Sequence, residues 1–110
     1  MTHRPVPEPT FYLLTALAHA PNDALTLAHQ VTELSRNSVT ISPATMRATL
    51  GRLIHLDLVH GYDEWREGQR NLKLYELTQA GRLELATEAD HLRKLAMLAS
   101  QRLAEFAGPA

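Results

Sequence analysis

Arg47 and Arg52 lie in the stretch SPATMRATLGRL, residues 42–53. The helical period puts them off the face shared by Met46, Leu50 and Leu53. A guanidinium offers a planar fork of donors that matches a phosphate or a guanine edge. The chemistry they suggest is recognition of a polyanion; the alternative is a solvated helix face. Thr45 is short enough to touch a base edge or a phosphate near a helix N-terminus, or to bond its own helix. Arg66, Arg70 and Lys73 extend the basic set downstream. They read either as phosphate or minor-groove contacts from a loop, or as an ordinary polar hairpin.

Charge distribution agrees with the local reading better than net charge does. The chain of 110 residues carries a net charge of −1. Only residues 36–73 hold more bases than acids: Arg36, Arg47, Arg52, Arg66, Arg70 and Lys73 against Asp57, Asp63, Glu64 and Glu67. A local patch matters more to a polyanion than the total. The length fits one domain. The absence of cysteine rules out disulfides and thiolate metal sites and suits a cytoplasmic location. The opening MTHRPVPEPT lacks the apolar core of a signal peptide, and no run of about 18 apolar residues spans a membrane. The histidines fall in no established ligand spacing, so no metal or cofactor is expected. No nucleophile–base pairing or phosphate loop is recognisable, so an enzyme is not expected.

The surrounding elements follow from periodicity and punctuation. Prolines 5, 7 and 9 read as an extended arm, with Thr10 capping a helix over residues 11–20. That helix is apolar almost all round, so Phe11 and Leu14 become candidates for burial against a second subunit. After the stop-and-restart APND, a second helix runs from about Ala24 to Ser35, with Leu27, Val31 and Leu34 on one face. SRNSVTIS follows, with a short strand expected around Val39 and Ile41. The third helix starts at the cap Ser42 and the favoured first-turn Pro43 and runs to about Leu56. Gly51 in its middle costs about 1 kcal/mol relative to alanine, which implies a close helix crossing or a close ligand backbone. LVHGYDEWRE and LKLYEL flank GQRN, and the period of two in the second segment with the central Gly68 predicts a hairpin. A last helix starts at Thr78 and reaches about Phe106. Its Leu85, Ala89, Leu92, Ala96, Ala99, Leu103 and Phe106 recur at alternating spacings of four and three, a helix-pairing seam.

Helix, helix, short strand, helix, hairpin and long helix make a winged helix-turn-helix. The fold class is mainly α with a small β wing and a long C-terminal dimerisation helix. Its third helix suits the DNA major groove. The expected organisation is a flexible arm over 1–9, a DNA-binding domain over 10–77, a dimerisation helix over 78–106 and a tail over 107–110.

SPATMRATLGRLIHLDLV is similar to the recognition-helix signature of PadR-like transcriptional regulators, roughly Ser-Pro-Gly-Thr-Leu-Tyr-Pro-x-Leu-x-x-Leu followed by Gly-Leu-Ile. YELTQAG, residues 75–81, resembles the family's junction of wing and last helix. Trp65 falls where the family often has tryptophan in the wing. The single last helix resembles the short subclass, and the likeness spans about residues 10–106. There are departures. Ala44 replaces the family's glycine, Arg47 its tyrosine and Ala48 its proline. Asn22, Asp23 and Ala24 stand where the family often has His-Gly-Tyr.

The resemblance and the helix geometry together nominate Ser42, Ala44, Thr45, Arg47, Ala48, Arg52, Arg66, Arg70 and Lys73 for double-stranded DNA. Phe11, Leu14 and the seam from Leu85 to Phe106 are nominated for a homodimer. The resemblance implies a repressor controlled by a small apolar effector, and a dimer axis implies a roughly palindromic operator. Trp65 reads as an anchor of the hairpin to the body, or with Ala96 and Ala99 as the lining of an effector pocket. The competing function is a winged-helix module that binds protein and not DNA.

Overall fold

A computed structural model describes residues 5–65, 67–68 and 71–106. In chain order the elements are α1 (Glu8–His19), α2 (Ala24–Leu34), α3 (Pro43–His55), β1 (Val59–Glu64), β2 (Leu72–Leu77) and α4 (Gln79–Phe106). β1 and β2 form an antiparallel hairpin in the register Val59↔Leu77 to Glu64↔Leu72. Gly68 in its turn has φ of 75°, a conformation that favours glycine.

α1 starts earlier than a cap at Thr10 would have it. Pro7 stands at the N-cap, and Pro9 lies in the first turn. A first-turn residue has no intrahelical partner for its N–H, so proline fits there. Thr10 is buried inside the helix, and Glu8 and Pro9 are helical rather than part of an extended arm. α2 is capped as its sequence implies: the Asp23 carboxylate accepts from Thr26 N and Thr26 Oγ1, each at 2.9 Å.

α2 and α3 end alike. Beyond α2, Arg36 N–H donates to Glu33 O and Asn37 N–H to Thr32 O. Beyond α3, Asp57 N–H donates to Ile54 O and Leu58 N–H to Leu53 O. Both are Schellman closures, with Arg36 (φ 53°) and Asp57 (φ 61°) where glycine is usual.

The segment between these two helices is not a strand. Buried Ser35 holds it: its Oγ accepts from Val39 N–H at 3.0 Å. Val39 and Ile41 pack on the core from an irregular loop. The extra β pairing lies instead at Asn22, which exchanges both backbone hydrogen bonds with Tyr75 of β2 at 3.0 and 3.1 Å. The link between α1 and α2 is thereby tied to the hairpin.

The core draws Leu13, Leu14 and Leu17 from α1, Leu27 and Val31 from α2, and Met46, Leu50 and Leu53 from α3. Val59 and Leu77 close it at the base of the hairpin. Each such side chain contributes about 1.5–3 kcal/mol by leaving water. α4 adds little beyond half-buried Leu85.

Its docking at the junction is tight. Thr78 Oγ1 accepts from Gly81 N–H at 3.0 Å and donates to Asp57 O at 2.7 Å. A Cβ on Gly81 would sit 2.1 Å from Leu58 O. The Leu-Thr-x-x-Gly junction is therefore a helix cap plus a site where only glycine fits.

Candidate nucleic-acid interface

The first turn of α3 is preset by sequence. Ser42 Oγ accepts from Thr45 N–H at 3.2 Å and pairs with Thr45 Oγ1 at 3.0 Å. Thr45 is thus engaged with its own helix cap while remaining exposed. Met46, Leu50 and Leu53 lock one side of the helix into the core. At 100° per residue, the opposite side is Ala44, Ala48, Gly51 and His55, all exposed. Nothing lies within 4 Å of the place a Gly51 Cβ would take. Among the described residues there is therefore no close helix crossing of the kind Gly51 suggested. A low, flat strip runs along the helix.

The two arginines flank that strip on different sides, about 140° apart around the axis. Arg47 lines a groove with Asp23, Ala24, Leu25 and Ala28 of the α2 start, Pro43 and Met46 of α3, and Leu72, Lys73 and Tyr75 of β2. Arg52 lines another groove with Thr10, Leu14, Leu58 and Glu84. The fold thus puts Arg47 and Lys73 on one groove and Arg52 on another, which Glu84 of α4 also lines. Arg66 and Arg70 lie outside the described residues.

Trp65 is not an anchor: it is 72% exposed at the end of β1. Ala96 and Ala99 are exposed on distal α4, so a single chain does not enclose the three nominated for an effector. The base of the wing is held in other ways. Gly61 leaves room for Ile54 of α3, whose Cδ1 would be 3.3 Å from a Cβ there. On the other hairpin face the rings of His60 and Tyr62 stack at 5.7 Å.

Of the residues nominated for dimerisation, Leu14 is already buried in its own core, and Leu85 is half covered. Phe11 and Leu92 come together in a shallow groove with Val6, Glu8, Tyr12 and Glu88. Ala89, Ala96, Ala99, Leu103 and Phe106 are exposed. The covered row of α4 passes through Gly81, Leu85 and Glu88, so a carboxylate is buried where the apolar seam predicts Ala89. Glu88 carried no sequence signal, because it lies between apolar seam positions.

Asp23 shapes the end of the Arg47 groove. Burial pushes its carboxyl up, but hydrogen bonds from the Thr26 backbone and side chain, with its own and Leu25 N–H, outweigh that. The result lies below the usual aspartate value, and the charge is fixed on the helix cap.

A capped α3 with an open outer strip, beside a two-stranded wing that is tied through Asn22 to the α1–α2 link, defines a winged helix-turn-helix fold. Solved structures agree in fold. A PadR family transcription regulator of Clostridium difficile is 22% identical, with a TM-score of 0.75 over 86% of this chain and 97% of that one. A PadR-like transcription factor of Bacteroides fragilis is 19% identical, with a TM-score of 0.70 over 83% and 85%. Bacillus subtilis PadR, solved in complex with operator DNA, is 16% identical, with a TM-score of 0.62 over 70% of this chain and 44% of that one. A search of the curated proteins finds no match. The model of the transcriptional regulator PadR-like family matches residues 13–87, and the chain belongs to that family. No described helix is long and apolar enough to cross a membrane.

Proposed function

We propose that this protein is a sequence-specific repressor that binds a roughly palindromic operator as a homodimer. Residues 10–77 form the DNA-binding unit, with α3 in the major groove and the wing beside it. Ser42, Ala44, Thr45, Arg47, Ala48, Arg52 and Lys73 face the duplex, and Arg66 and Arg70 extend the set. α4 joins two copies, so the operator carries the two-fold symmetry of the protein. A small apolar effector between the subunits releases DNA by favouring a different spacing of the two α3 helices.

The outer strip of α3 carries this reading. Ala44, Ala48 and Gly51 let the helix backbone lie close to a groove floor, while Arg47 and Arg52 reach outward on either side. The strip carries no large apolar side chain that would invite a protein partner.

Fluorescence anisotropy on labelled duplex DNA across a salt series tests it. Affinity is expected to fall steeply between low and moderate salt as counterions are released. Arg47→Ala with Arg52→Ala should lower affinity at fixed salt by at least about tenfold. An absence of salt-dependent binding to any duplex would favour the protein-binding alternative.

A further inference from the structure

The groove that holds Arg47 and Lys73 has the chemistry of a ligand site as well as of a DNA edge. Its walls come from the starts of α2 and α3 and from β2. Ala28, Met46, Leu72 and the body of Tyr75 make them apolar, and Leu25 stands at the rim with 68% of its surface exposed. The groove encloses about 350 Å³, within the range of small-molecule sites. Two of its lining residues are cations and one is an anion. The anion, Asp23, already accepts two hydrogen bonds from Thr26, so its oxygens are committed to the α2 cap. What remains is an apolar trough with a surplus of one positive charge. That complements a monoanion with an apolar tail.

We propose that this groove binds a medium-chain fatty carboxylate, and that the carboxylate and DNA exclude each other. The head group would take Arg47 and Lys73, and the alkyl chain would lie along Met46, Ala28 and Leu72 toward Leu25. Exclusion rests on the DNA-binding reading above: a phosphate backbone and a carboxylate compete for the same two cations. The effect differs from control through α4, because it needs no change in the spacing of the subunits. Ligand at concentration L should raise the apparent Kd for DNA in proportion to one plus L over its own Kd.

Octanoate is a suitable probe, with acetate and octanol as controls lacking the tail or the charge. Binding to the full chain is measured by calorimetry and mapped by NMR, and DNA displacement by anisotropy at constant ionic strength. The expected result is that octanoate shifts Tyr75 and Met46 signals and displaces DNA. Acetate and octanol should each bind at least about tenfold more weakly, because each lacks one half of the complementarity. Leu25→Gln, at an exposed rim position, should weaken octanoate by about fivefold and leave DNA affinity unchanged.

Shifts confined to Leu92 and Leu98 of α4, or binding that leaves DNA in place, would overturn the proposal. So would DNA binding without any octanoate binding, which leaves the repressor reading intact. Octanoate shifts at Tyr75 without DNA binding at any salt would support the carboxylate site and overturn the exclusion together with the DNA reading.

Discussion

The helix-turn-helix body and the distal half of α4 carry the same kind of apolar periodicity and meet opposite fates. In the body, Leu13, Leu17, Leu27, Val31 and Leu50 are at most 1% exposed. In α4, Leu95, Met97, Leu98, Leu103 and Phe106 are 49–93% exposed. The helix continues past the body in a molecule 69 Å long and 32 Å wide. Its charges settle locally. Asp90 pairs with Lys94 at 3.0 Å and with Arg93, in that order of influence, and both hold its carboxyl below the usual value. The body thus completes its core within one chain. Distal α4 leaves an apolar surface uncovered in the single chain, and the proposed pairing of two copies would cover it.

The largest expected effect is on that pairing. Leu92→Asp with Leu103→Asp should weaken self-association by at least about a thousandfold, since unpaired charges would be buried in the seam. Sedimentation should report monomers, and circular dichroism a folded body. An intact dimer would place the interface elsewhere.

The second effect falls where the two regions join. Gly81→Ala should destabilise the fold by about 3 kcal/mol, because its Cβ would overlap a backbone carbonyl that has little freedom to yield. Denaturant unfolding reads this directly. A loss within about 0.5 kcal/mol would mean that α4 is not docked through this contact.

The smallest effect is confined to the body. Asp23→Ala should cost about 1 kcal/mol at neutral pH through loss of the α2 cap. The sign with pH follows from the lowered value of Asp23. A carboxyl whose folded pKa lies below its unfolded one stabilises fully above the unfolded value. That contribution is lost as pH falls through the ordinary 3.8 and then the lower folded value. The gap between parent and variant in urea titrations should therefore close in acid. A gap unchanged below that range would mean that the carboxylate's charge does not matter to the cap.

Much of this architecture was legible in the residues because caps and periods are local. Ser42–Pro43 marked the start of α3, Asn22–Asp23 that of α2, and alternation around Gly68 the hairpin. Proline misled at Pro9, since it breaks a helix interior yet fits a first turn, and the packing of Thr10 on the core side decides between them. The side chains of Val39 and Ile41 suggest a third short strand, but the β pairing beyond the hairpin is not there. It lies at Asn22 because backbone geometry, with no side-chain signature, sets that bridge.

The candidate site was legible as a set of residues and not as an arrangement. Spacing put Arg47 and Arg52 off the apolar face. It did not show that Arg47 shares a groove with Lys73 while Arg52 shares another with Glu84, because those neighbours come from β2 and α4. Nor could it show that Trp65 stands in solvent, since tryptophan on a strand more often packs inward.

Selection of bound duplexes from a random DNA pool, using the full chain, tests most directly whether the body reads DNA while α4 pairs two copies. The expected product is one inverted repeat, its half-sites separated by about one helical turn or a multiple of it. An asymmetric site of a single half, or a pool that returns no enriched sequence, would contradict it.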